Sequence, residues 1–505
     1  MQNKFYITTP IYYVNDKPHI GHAYTSVLAD VLARWHKLQG EKVFFLTGTD
    51  EHGAKIEEAA EKAGKSPKEF CDEKAKEFKT AWQKLNVSYD NFIRTTDKKH
   101  KEAVGNALKH LYDKGLIYKG TYKGLYCKGC EQYLTDDDLI DGKCPDHQIE
   151  PEIMHEESYF FKLSQFEPEL ERRISSGELE IAPEGRKNEI LSFLRNGLQD
   201  ISISRKNVKW GIPLPFDKDF TTYVWIDAFL NYLTGLGWDG SIQTLKNTRH
   251  PELGSGSQEM PKRKADAFLL RRGVRHDKVI FFPPDIQLMS KDILRVHATI
   301  WPALLLALGI PLSRKLFVHG FFTINGQKMS KSLGNIILPE ELIAKFGADG
   351  ARYLLVSSLA YGHDGDISLE KLTEKYNADL ANGLGNLISR VATLSQKSKV
   401  KSQNYRPKVK SERMIQLFGE IKPKEILEEI WKEVNWANKY IEEKKLWELA
   451  KNNEEKAKEV LAELFVAISD VAENLKPFMP ETAEKISEIL ETGEIKKGEV
   501  LFPRV

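Results

Sequence analysis

At 505 residues the chain exceeds the size at which a single hydrophobic core stops growing, so several domains are expected. Hydrophobic residues make up 41% and charged ones 29%, no run approaches a membrane span, and Met1-Gln2-Asn3-Lys4 lacks the apolar core of a signal peptide; the expectation is a cytoplasmic globular protein, against a membrane-spanning class. A net charge of +1 excludes a general attraction to nucleic acid, so any RNA contact has to come from local clusters of Lys and Arg.

In chain order, Phe5-Tyr6-Ile7-Thr8 predicts a strand that Pro10 stops, before a loop reaching His19-Ile20-Gly21-His22. From Ala23 to Leu38 the apolar residues Val27, Leu28, Val31, Leu32 and Trp35 recur at helical spacing, and Gly40 is placed to end the helix. Val43-Phe44-Phe45-Leu46 reads as a strand buried on both faces, ending in Thr49-Asp50-Glu51-His52. A strand–helix–strand unit brings the loop after its first strand and the carboxyl end of its second to one sheet edge, where open α/β folds bind ligands. His19 and His22 open the helix and can face an anion there, backed by free backbone amides; taken alone they read more readily as surface or capping histidines. Asp50, a carboxylate at a strand end, can grip an ammonium group or cap a helix from Gly53.

Two helical segments follow, one opened by Ser66-Pro67, the other capped by Thr96 and ended by Gly115. Gly64-Lys65-Ser66 looks like the end of a phosphate-binding loop, but Ala59 replaces the first glycine that motif needs, so a helix-ending turn is expected. Short strands with Tyr118, Tyr122 and Tyr126 lead into Cys127-x2-Cys130 and Cys144-x2-His147. That spacing matches a closed, tetrahedral structural zinc site; reduced surface cysteines are the alternative, and Cys71 is left over as a helix-face or core thiol. The stretch from Leu236 to Phe282 is long, Gly/Ser-rich and basic at Lys262-Arg263-Lys264, predicting a surface excursion or an extra RNA contact. Pro339 to Leu355 is helical and leads to an α-rich tail. Asn386 and Arg390 share a helix face there, a basic connector spans Ser395 to Ser411, and Trp431, Trp436, Tyr440 and Trp447 read mostly as core.

His19-Ile20-Gly21-His22 together with Lys328-Met329-Ser330-Lys331-Ser332 resembles the two signatures of class I aminoacyl-tRNA synthetases. Pro10-Ile11-Tyr12-Tyr13-Val14-Asn15, Thr49-Asp50-Glu51-His52-Gly53 and Tyr223-Val224-Trp225-Ile226-Asp227-Ala228 narrow the resemblance to the methionyl-tRNA synthetases. The resemblance covers almost the whole chain and is weakest between Leu236 and Phe282. It implies an α/β fold: a Rossmann-like parallel-sheet catalytic domain, split by a zinc-knuckle connective insertion and followed by an α-helical anticodon-binding domain. The implied divisions are 1–114 and 220–322 for the catalytic halves, 115–219 for the insertion, 323–372 for the lysine loop and stem contact, and 373–505 for the anticodon domain.

The implied ATP site is His19, Gly21, His22, Asp292, Lys328 and Lys331, with Mg²⁺ accompanying ATP and His19, His22, Lys328 and Lys331 acting in catalysis. The implied methionine site is Ile11, Tyr13, Asp50, Trp225, Ala228, Tyr232, Ile293 and His297, with the Ile11 amide and the Tyr232 hydroxyl near the sulfur. Asn386, Arg390 and Trp447 would read the anticodon, and one structural Zn²⁺ would sit on Cys127, Cys130, Cys144 and His147. Implied partners are L-methionine, ATP and methionine tRNA, both elongator and initiator, with room for a separate subunit supplying the tRNA-binding domain that longer relatives append after the position of Val505. Gln287, Ser290 and Leu446 depart from the family pattern, the first two in a region tied to adenosine binding. No thiol precedes the first signature, as a cysteine-activating relative would require, and the insertion is too short for the editing domain of the isoleucine, valine and leucine enzymes. Two other classes stay open at this level: a nucleotidyl-transferring enzyme on the same fold that needs no RNA, and a non-catalytic zinc-containing RNA-binding protein.

Overall fold

In the computed structural model, which describes residues 3–128, 132–134, 139–145, 148–241, 279–324, 326–329, 335–397, 412–492 and 501–505, the chain opens with the expected unit. It comprises β1 (Lys4–Tyr13), α1 (Ile20–Leu38) and β2 (Lys42–Asp50). β1 runs through Pro10 instead of stopping there. Its pairing with β2 shifts register between Thr8 and Ile11, and such an irregularity accommodates a residue with no N–H to donate. β2 is buried continuously from Phe44 to Asp50, as befits a strand covered on both faces.

Four further strands, β3 (Asn91–Arg94), β4 (Glu180–Ala182), β5 (Ile286–Ser290) and β6 (Lys315–His319), complete a six-stranded sheet in the order β3-β2-β1-β5-β6-β4. All its pairings are parallel. From β1 the first half of the chain winds outward through β2 and β3, while β5 starts on the other side and continues to β6. The connections therefore part between β1 and β5, opening a crevice at their carboxyl ends.

Residues 115–219 build a second, antiparallel sheet, from Gln132–Leu134, Ile117–Cys127, Glu152–Phe161 and Ile201–Ser202 in that order. The same stretch also supplies β4 to the edge of the central sheet. Gly64 (φ 66°) and Ser66 form the expected turn, Ser66 capping the helix Pro67–Lys84 through a reciprocal bond with Glu69. Thr96 is not a cap: Asp97 precedes the helix Lys98–Asp113, and the Thr96 hydroxyl is drawn instead to the buried Glu51 carboxylate. Glu51 is an acceptor for Arg94 as well, at 2.6 and 2.9 Å, and so closes the β2 end against β3.

α1 is buried around most of its circumference, because the helix Pro339–Ser358 covers the side turned from the sheet. Asp30 on α1 pairs with Arg34 at 2.7 Å and with the fully buried Arg352 at 2.7 Å. Arg352 also donates to the Phe478 and Pro477 carbonyls at 2.7 and 2.8 Å, joining the sheet layer to the C-terminal helices Pro423–Glu443, Glu454–Leu475 and Pro480–Thr492. Among the aromatics expected in that core, Trp431 is buried, but Trp436 and Trp447 are 42% and 36% exposed. Trp436 stacks on Tyr440 on a face of Pro423–Glu443 turned away from the buried stripe of Ile430, Val434, Ala437 and Ile441. Among the described residues no helix is long and apolar enough to cross a membrane. Cys130, His147, Lys331, the Lys328 side chain and residues 242–278 and 398–411 lie outside the described residues.

Candidate active site

A cavity of about 420 Å³ opens at the crevice between β1 and β5. Every residue expected for ATP and methionine, the two lysines aside, lines it: Ile11, Tyr13, His19, Gly21, His22, Asp50, Trp225, Ala228, Tyr232, Asp292, Ile293 and His297. They come from β1, the α1 N-terminus, the end of β2, the helices Val224–Phe229 and Asn231–Thr234, the turn after β5 and the helix Leu294–Ala298 that follows it.

At the α1 N-terminus the two histidines cap the helix reciprocally. The Gly21 amide donates to His19 Nδ1 at 3.0 Å and the His19 amide to His22 Nδ1 at 3.3 Å, while the rings stack with centroids 3.8 Å apart. A nitrogen that accepts from an amide carries no proton, so each neutral ring holds its proton on Nε2. Burial, then the neighbouring His19, pushes His22 well below the ordinary imidazole pKa, and it is neutral near pH 7. Two Nε2–H donors beside a helix N-terminus are a set of groups suited to phosphate oxygens. Gly21 permits the arrangement, since a Cβ there would stand 2.9 Å from His19 Cε1 and 3.0 Å from its Nδ1. The described residues on either side of 330–334 lie at the same place. Met329 lines the cavity, and on the far side of residues 330–334 the Ile337 carbonyl accepts from the Ile20 amide at 3.1 Å.

On the opposite wall His297 orders the apolar part of the cavity. Its Nδ1 lies 2.8 Å from the Ile293 carbonyl and its Nε2 2.9 Å from the Tyr232 hydroxyl. A carbonyl only accepts, so Nδ1 carries the proton; burial pushes the ring down to about 4 and keeps it neutral, leaving Nε2 to accept from Tyr232. The Tyr232 hydroxyl, expected near the sulfur, has its proton engaged with His297 and presents lone pairs to its remaining surroundings.

Asp292, on the turn Lys291–Ile293, is exposed to the opening and accepts from the Ser290 hydroxyl. Gln287 departs from the family pattern yet does not reach the cavity: it is fully buried, its Oε1 accepting from Trp301 Nε1 at 3.1 Å and from the Ser313 hydroxyl. Several lining residues carried no signal in the sequence. Thr25, one turn into α1, meets His319 Nε2 at 2.8 Å across the sheet, and His319 Nδ1 is held by the Gly320 carbonyl at 2.8 Å. One histidine at one strand end is unremarkable until the fold sets it beside α1.

Away from the cavity, Arg390 on the helix Asn386–Lys397 lies over the Trp447 ring at 5.9 Å and pairs with Glu442 at 2.7 Å. Asn386 is exposed one turn earlier. Of the zinc set, Cys127 at a strand end and Cys144 in the following loop are both buried, an environment that suits soft metal-binding thiols.

A family model described as tRNA synthetases class I (M) matches residues 5–152, 147–248 and 283–392. A methionine--tRNA ligase of Caldanaerobacter subterraneus subsp. tengcongensis is 40% identical, covering 100% of this chain and 79% of its own length. One of Streptomyces coelicolor is 37% identical, covering 99% and 96%. Among solved structures, the methionyl-tRNA synthetase of Mycobacterium tuberculosis in complex with methionyl-adenylate matches with a TM-score of 0.83 at 33% identity, covering 100% of each chain.

Proposed function

This chain belongs to the methionyl-tRNA synthetases, class I ligases that activate methionine with ATP and join it to tRNA, and on that premise we propose roles for its individual residues. The observation that carries the assignment is the convergence of the predicted ATP and methionine residues on one cavity at the switch point of the sheet.

In the first step the methionine carboxylate attacks the α-phosphorus of ATP. A carboxylate oxygen–phosphorus bond forms as the bond to pyrophosphate breaks, and no nucleophile from the protein is needed. Rate enhancement then comes from positioning and from neutralising charge on the phosphoryl group. His19 and His22 hold phosphate oxygens through Nε2–H, with the α1 N-terminus behind them, and Lys328 and Lys331 supply positive charge to the same phosphates. Asp292 accepts from the ribose and Asp50 from the α-ammonium. Trp225, Ala228, Tyr13, Ile293 and His297 enclose the thioether, whose weak acceptor is met by the Ile11 amide. Mg²⁺, when bound with ATP, screens the phosphates. In the second step a hydroxyl of the terminal adenosine of methionine tRNA attacks the activated carbonyl and AMP leaves.

Zn²⁺ on Cys127, Cys130, Cys144 and His147 would clamp the insertion as a structural ion, with all four positions filled by protein. Asn386, Arg390 and Trp447 read the anticodon of both elongator and initiator methionine tRNA. The working divisions are the five given above for catalytic halves, insertion, lysine-loop region and anticodon domain, the setting is the cytoplasm, where ATP and tRNA meet, and a separate tRNA-binding subunit is a further partner. Methionine-dependent ATP–pyrophosphate exchange, run across the standard amino acids, tests the reading. Exchange with methionine well above all others is expected, and exchange driven by another amino acid, or by none, overturns it.

A further inference from the structure

Beneath the methionine wall lies a carboxylate that the activation chemistry leaves unused. Asp227 sits between Trp225 and Ala228 on the helix Val224–Phe229 and is fully buried. Its Oδ2 is 2.8 Å from His52 Nδ1, and its Oδ1 faces His100 Nε2 at 3.9 Å, too far for a hydrogen bond. Both histidines are buried, and His100 Nδ1 is engaged by the Thr234 hydroxyl at 2.7 Å. Burial alone would push the Asp227 carboxyl up, but the two imidazoles together hold it below the usual range, so it is ionised. An ionised carboxylate inside a protein is strongly unfavourable without a close partner, and a chain that keeps one has given it a definite geometric task or a structural one.

The partner identifies the task. His52 stands two residues beyond Asp50, just past the carboxyl end of β2, whereas Asp227 belongs to the helix whose other residues wall the apolar part of the cavity. The 2.8 Å contact is therefore a tie between the two sides of the methionine subsite: the strand end that grips the ammonium and the helix that receives the thioether. A flexible amino acid is bound well only when both ends are met at once, so the separation of those walls matters more than the strength of either.

We propose that Asp227 is a positioning residue for methionine, holding the wall of Trp225, Ala228 and Tyr232 at a set distance from Asp50 through its bond to His52. This rests on the reading of the methionine subsite given above. In the full chain, Asp227→Asn and His52→Leu are expected to raise the KM for methionine in pyrophosphate exchange, and the Kd for methionine alone by calorimetry, at least tenfold, while the KM for ATP stays within twofold. His52→Asn, whose side-chain amide nitrogen falls near the place of Nδ1, recovers most of that affinity. His100→Asn removes the remote partner of the same carboxylate without touching the tie, and leaves the KM for methionine within twofold. Should Asp227→Asn not fold, the comparison of His52→Leu with His52→Asn decides alone. The proposal falls if methionine and ATP constants rise together, if neither moves, or if the variants lose only melting temperature and active-site count while surviving sites bind methionine normally. Failure of the underlying reading is seen separately, as absence of methionine-dependent exchange in the unaltered chain.

Discussion

The cavity concentrates neutral histidines, and that has a consequence for acid stability. His297 titrates at about 4 in the folded chain because it is buried, against an ordinary 6.5. Between those values the unfolded chain binds a proton that the folded chain refuses, so stability is full above the ordinary value and falls as the pH drops toward the folded one. The total loss from this group is roughly 3 kcal/mol. His22 and His319 are lowered by burial in the same sense and add to the slope. Urea denaturation between about pH 7 and pH 5 should show stability declining with acid, and His297→Phe should flatten that decline; an unchanged slope would mean that His297 is protonated in the native state.

Two elements carry the rest of the chemistry by their shape. In α1 the pair of histidines caps the helix, an arrangement that depends on Gly21, and the proposed phosphate contact uses the same two rings. A methyl group there has to displace the His19 ring, which should slow single-turnover adenylate formation by about 10- to 100-fold, or roughly 1.5 to 3 kcal/mol, with methionine affinity little changed. Normal activation by Gly21→Ala would show that the ring position is unimportant. In the insertion, Cys127 at the end of an antiparallel strand and Cys144 are both buried, and a metal bound to them would fasten the chain between them. Cys127→Ser is expected to lower bound zinc well below one equivalent, by elemental analysis, and to reduce activity only as far as it reduces the folded fraction. A variant that keeps its zinc would remove Cys127 from the ligand set.

At the scale of the whole molecule, the cavity at the sheet edge and the helices carrying Arg390 and Trp447 belong to separate layers, and the buried Asp30–Arg352 pair ties the sheet layer to the C-terminal helices. Trp447 belongs to the outer layer. Stacking of an unpaired base on such a ring is typically worth about 1 to 3 kcal/mol, and Arg390, lying over the same ring, can add hydrogen bonds that choose the base. Trp447→Ala should therefore weaken charging of methionine tRNA tenfold or more and leave pyrophosphate exchange nearly intact, because exchange needs no RNA. With 36% of the residue exposed, the stability change should be smaller than the ~3 to 5 kcal/mol typical of a buried Trp. A parallel fall in charging, exchange and melting temperature would mark Trp447 as a packing residue.

Local pattern was enough for the opening strand–helix–strand unit, because burial on both faces leaves an unbroken apolar run in β2 and a helical period in α1. The first signature word was enough to set the histidine pair at the helix terminus, which the structure brings to the cavity. Period and spacing are properties of neighbours along the chain. What the chain order does not contain is which distant residues oppose one another. Pro10 reads as a terminator until β2 is seen to shift register around it. Trp436 and Trp447 read as core until the bundle turns them outward. Gln287 looks like an altered nucleotide contact until its side chain is found bonded to Trp301. The links from Thr25 to His319, Tyr232 to His297 and His52 to Asp227 join residues separated by 294, 65 and 175 positions. Such pairs leave no periodic trace, because each partner is a single polar residue whose meaning is set by the parallel sheet that brings the strand ends, and the helices after them, to one edge.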